Sequence, residues 1–188
     1  MSMFWPNLVD ALQSPVELFR RLREHPAVLQ GILVATVGQM LFALGPGAVT
    51  EIPGMEGAAV FHPAADVVLT VLGYLVYVIA LHATARALGG DGRLAAGVSA
   101  LGLASAPFLL YAPIHVAATL AGVPLLASIG FVGLSLWGLV LDILAVRETY
   151  GFSTGRAIGA MFLSFLVLAV MVVAAVIVAG IVTVALTF

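Results

Sequence analysis

Four side chains hold most of the chemistry this sequence could do inside a membrane: His82 and Arg86, then Asp142 and Arg147. Each lies in or at the end of a long apolar run, where an ionisable group costs roughly 2.5–3.5 kcal/mol to insert and so needs a partner. At one depth, His82 and Asp142 could exchange a proton, while Arg86 and Arg147 could grip an anionic headgroup. The plainer role is an interhelical lock. That reading is favoured because Asp142 sits only about one to two helical turns from the end of its run, near where arginine can snorkel out. For Asp142 the candidate partners are Arg86, His82 and Arg147. His115 falls near the opposite face, too far away to join His82 and Asp142 around a metal. The chain has no cysteine, which removes thiolate metal sites, thiol nucleophiles and disulfides. No serine occupies a Gly-x-Ser-x-Gly elbow, and His25 and His62 precede prolines at loop boundaries as solvated residues. The expectation is no catalytic residue, no metal and no cofactor, and a protein that is not an enzyme.

These residues are carried by an unusually apolar chain. Of 188 residues, 63% are hydrophobic and 9% charged, against about a quarter charged in soluble domains. At about 20 apolar residues per crossing the length supports roughly four to six spans and leaves little for a soluble domain. The predicted fold class is all-α: a five-transmembrane-helix bundle behind a short N-terminal amphipathic interfacial helix. Residues 1–26 form the amphipathic segment and 27–188 the membrane domain, with spans near 27–49, 64–88, 94–121, 125–146 and 156–188. The first span's length argues against a cleavable signal peptide.

Ser14 and Pro15 open the interfacial helix, with Glu17 placed to close a capping box. Leu18, Phe19 and Leu22 gather on one side and Arg20, Arg21 and Arg23 on the other, as in a helix lying among headgroups, with Phe4 and Trp5 as interfacial anchors. His25-Pro26 ends it. In the first span Gln39 is placed to bond a neighbouring helix. The loop that follows, with Gly45-Pro46-Gly47, Glu51, Gly54 and Glu56, has no arginine. Tyr74, Val78, His82 and Arg86 line one stripe of the second span. Pro107 and Pro113 should bend the third. Gly133, Gly138 and the Gly155-x-x-x-Gly159 spacing allow close helix approach, and Val170 to Val184 looks lipid-facing.

With five spans and an internal N-terminus, all seven basic residues, every one an arginine, fall on one side. That satisfies the positive-inside rule and sets the N-terminus in the cytoplasm and the C-terminus outside. The formal charge of −2 and the scattered arginines exclude a nucleic-acid partner. Expected partners are membrane lipids and a homo-oligomer or partner membrane protein.

Short motifs then give a resemblance. Ser14-Pro15, Phe19, Leu22 and Pro26 resemble the opening of prokaryotic Yip1-domain proteins. The second span's Leu88-Gly89-Gly90 and the downstream Ala104-Ser105-Ala106-Pro107 are similar too. So are Trp137, Leu144-Ala145-Val146-Arg147-Glu148, Tyr150-Gly151, Ser153 and Arg156-Ala157. The resemblance implies a five-helix protein with a cytosolic N-terminus, here in a prokaryotic plasma membrane. Eukaryotic relatives are linked to vesicle trafficking and bind prenylated Rab GTPases through a long N-terminal region. Here only about 26 residues precede the first span, which argues against Rab binding.

Three functions compete. The first is a non-enzymatic protein that organises membrane or binds lipid and partner proteins. The alternative is a small ion or solute transporter built on the bent third span and Asp142. An intramembrane enzyme using His82, Asp142 and Arg86 ranks last, since no motif ties them to a reaction.

Overall fold

The computed structural model describes residues 3–43 and 63–187, all helical apart from short connections. The element order is α1 (Phe4–Gln13), α2 (Pro15–Glu24), α3 (Val28–Ala43), α4 (Pro63–Ala87), α5 (Leu94–Ala104), a 3-10 turn (Ala106–Leu110), α6 (Tyr111–Leu120), α7 (Pro124–Tyr150) and α8 (Thr154–Thr187). Among the described residues, four stretches are long and apolar enough to cross a membrane: Ala65–Ala87, Leu94–Leu120, Pro124–Tyr150 and Thr154–Val184. Val28–Leu41 is apolar but shorter. The rest of the expected first span and the loop with Glu51, Gly54, Glu56 and His62 lie outside the described residues.

Leu94–Leu120 is the enclosed centre: 72% of its apolar stretch is buried, against 17% for α4 and none for α8. Small residues explain this. Every position from Ala96 to Ala104 on α5 is buried, and α3 crosses it backbone against backbone. A Cβ added to Gly102 would fall 2.2 Å from the Gly31 carbonyl oxygen, and one added to Gly31 would fall 2.6 Å from that of Val98. Helices in lipid gain nothing from mutual hydrophobicity, so close backbone approach is what holds them together.

The third span breaks rather than bends. After Ala104 the chain tightens into the 3-10 turn, which carries Pro107. Pro113 lies in the first turn of α6, where backbone N–H groups lack helical acceptors anyway, so it introduces no second break. α7 runs to Tyr150, past the expected end near Val146. It stops at Gly151, whose φ of 70° lets the Phe152 N–H fold back onto the Arg147 carbonyl at 2.9 Å. α4 closes the same way, with Gly89 at φ 84° and the Gly90 N–H on the Ala85 carbonyl at 2.9 Å.

The amino-terminal region departs furthest from expectation. α1 is an additional helix, and its Trp5 and Val9 are exposed, as is Met3 before it. Ser14 precedes α2 but makes no side-chain capping bond, so the capping box does not form. Leu18, Phe19 and Leu22 are fully enclosed by protein, with α2 packed on α5 and α7. Gln39 faces outward on α3 instead of bonding a neighbouring helix. Among the anticipated glycines, Gly138 packs under the Phe108 ring, whereas Gly133, Gly155 and Gly159 face open space.

Candidate functional site at the charged end of the bundle

All seven arginines gather where α1 and α2 cover the α4–α5 and α7–α8 turns. Glu148 is the hub. Arg20 Nε donates to its Oε2 at 2.8 Å, and Arg147 donates to its Oε1 through Nε at 2.9 Å and Nη2 at 2.7 Å. Arg21 Nη2 donates to Asn7 Oδ1 at 2.8 Å and Asp10 Oδ2 at 2.7 Å. Asn7 Nδ2 in turn donates to Gln30 Oε1 at 2.7 Å, tying α1 to α3. Arg23 Nη2 reaches Asp91 Oδ2 at 2.6 Å, while Arg93 Nη2 donates to the Arg23 and Glu24 carbonyls at 3.1 and 2.9 Å. The three arginines expected at the lipid surface, Arg20, Arg21 and Arg23, thus each meet a carboxylate of the protein. Exposed pairs contribute about 0–1 kcal/mol each, so the enclosed apolar side of α2 supplies most of the docking and the ion pairs set its register.

The four membrane residues are placed separately. His82 Nδ1 lies 3.1 Å from the Tyr150 hydroxyl, Arg86 Nη1 donates to the Gly90 carbonyl at 3.1 Å, and Arg147 is on Glu148. Asp142 makes no hydrogen bond or ion pair among the described residues. Tyr74 donates to the Val98 carbonyl. The stripe through Tyr74, Val78, His82 and Arg86 therefore faces α5 and the end of α7, yet it does not bring Asp142 onto an arginine. His115 stacks on Tyr111 in α6 with ring centroids 5.7 Å apart. No three metal-ligating side chains cluster among the described residues.

Sequence reasoning missed Glu148, Asp91, Asp10, Asn7 and Tyr150 as organising residues. Tyr150 is fully buried and wedged between α4 and α5: a Cβ on Gly97 would lie 2.8 Å from its hydroxyl. The available signal was charge balance, since three arginines in one short helix need acceptors nearby. Glu148→Gln is expected to lower stability by about 1–2 kcal/mol, a figure discounted because Arg20 is 66% exposed. Trypsin measures it directly, because its target arginines in α2 should become cleavable faster in the variant.

A polytopic chain whose described residues are helical, with an apolar exterior and all its arginines at one end, is an integral membrane protein. This one belongs to the Yip1 domain family, whose model matches residues 9–185. Searches of curated proteins and of solved structures find no match.

Proposed function

We propose that the chain is a non-enzymatic membrane organiser of the Yip1 type, binding lipid and partner membrane proteins through its outer helices. The observation that carries this is α8. From Ala169 to Val184 every residue is exposed, and an apolar face of that length calls for cover by lipid or another protein's helix. The organisation that goes with this reading has five crossings, with the charged end and the N-terminus in the cytoplasm of a prokaryotic plasma membrane and the C-terminus outside. Residues 1–26 act as a cytoplasmic cap on a membrane domain of residues 27–188.

Enclosure of the broken third span favours this reading over transport, because its small side chains are filled by α3 and α7. The test is site-specific photocrosslinking in native membranes. A photoreactive residue at Val176 is expected to capture protein, itself or a neighbour, whereas one at the buried Ala100 captures only its own chain. Lipid adducts alone at Val172, Val176 and Ile181 would remove the partner-binding half of the reading.

A further inference from the structure

We propose that the groove between α4 and α8 binds one acyl chain of an anionic phospholipid whose phosphate is held by Arg86 and Arg156. A groove of about 550 Å³ lies there, lined by Val76, Ala80, Ala83 and Ala87 of α4 and by Val167 and Met171 of α8. Alanines on α4 keep it open, and branched and long side chains on α8 wall it. The two helices run antiparallel, since Thr84 Oγ1 meets the Ala160 carbonyl at 3.4 Å while Tyr77 stacks on Phe165 with centroids 5.2 Å apart. From Val76 to Ala87 the groove spans roughly 16 Å at helical rise, about half the ~30 Å hydrocarbon core. That is the depth of one leaflet, and one end of the groove, at Ala87, lies next to Arg86 at the charged end.

Charge at the mouth selects the occupant. Counting along the antiparallel pair from Thr84 and Ala160 sets Ala87 level with the first turn of α8, and Arg156 continues the α8 stripe of Ala160 and Val167. Arg156 sits over the Phe152 ring, 5.7 Å from its centroid. Arg86 is tied to the same corner: it holds the Gly90 carbonyl, and a Cβ on Gly90 would lie 2.8 Å from Phe152 Cζ. Both arginines are exposed, and neither has a carboxylate partner among the described residues, unlike Arg20, Arg21, Arg23 and Arg147. One N–H of Arg86 is engaged and the rest of its donors remain for an anion. Two uncompensated guanidiniums above a leaflet-deep apolar channel match a phosphate ester with its chain below it. This site rests on the lipid-binding half of the function proposed above, but it fails independently of partner capture at Val176.

Native mass spectrometry of the full chain in mild detergent tests it, using phosphatidylglycerol and phosphatidylcholine with identical acyl chains. The protein is expected to retain one phosphatidylglycerol in preference to phosphatidylcholine. R86Q/R156Q should lower that retention about tenfold, to the phosphatidylcholine level, and Ala83→Phe should lower retention of both lipids. Inorganic phosphate at millimolar concentration should not displace the lipid; displacement would overturn the acyl-chain part of the site. Equal retention of the two lipids by the unmodified chain, or an unchanged preference in R86Q/R156Q, overturns the proposal. A phosphatidylglycerol with a photoreactive acyl chain, applied to the unmodified protein, gives a reading that no folding defect can confuse. Adducts should map to residues 76–87 and 163–171, and adducts confined to other helices would refute the site.

Discussion

Gly102→Val is expected to destroy the folded bundle, lowering stability by about 3 kcal/mol or more. Overpacking a core ordinarily costs about 1–3 kcal/mol because side chains yield. At Gly102 they cannot, since a Cβ would meet the Gly31 backbone at 2.2 Å from its oxygen and 2.5 Å from its Cα. Accommodation requires α3 to move off α5 along the whole crossing, including Gly38, whose own Cβ would lie 3.1 Å from the Ser105 carbonyl oxygen. Gly133→Val supplies the control: nothing lies within 4 Å of its Cβ position, so its effect should stay within about 0.5 kcal/mol. Thermal unfolding in detergent, followed by intrinsic fluorescence and by recovery of monodisperse protein, separates the two. Equal stability of both variants would mean that α3 does not cross α5 at Gly31 and Gly102.

Phe19→Ala is expected to release α2 from the bundle at a cost of about 3–5 kcal/mol, the usual range for emptying a buried phenylalanine site. Phe19 is wholly enclosed, together with Leu18 and Leu22. Freed, α2 exposes Arg20, Arg21 and Arg23 to trypsin, so rapid cleavage there with the membrane helices intact is the expected outcome. Arg20→Gln should have a much smaller effect, within about 1 kcal/mol, because its side chain is 66% exposed. A headgroup-lying helix behaves differently: Phe19→Ala would weaken its vesicle binding and leave cleavage of the detergent-solubilised protein unchanged.

Composition and periodicity point to the apolar helices, because a membrane span must satisfy its backbone within one continuous apolar stretch. The expected second span at 64–88 and α4 at Pro63–Ala87 nearly coincide. The third came out as a helix interrupted at Pro107, one of the two prolines that had marked it. Less legible were the partners of the polar residues. Arg20 and Glu148 are 128 positions apart, and no local spacing links them. Asp142 was matched by depth alone to His82, Arg86 and Arg147, and depth carries no information about how α7 is rotated about its own axis.

By itself, then, the sequence determined that this is a helical membrane protein, where its apolar segments run, and that its arginines collect at one end, since these follow from backbone satisfaction and charge cost. Tertiary structure alone decided what covers each apolar face. Leu18, Phe19 and Leu22 are enclosed against α5 and α7 while Val170 to Val184 are left exposed, and apolar side chains suit either setting because lipid and a protein interior are equally apolar. The close contact of Gly31 with Gly102 belonged to the fold as well, because a glycine in a membrane helix shows its purpose only once the neighbouring backbone is in place.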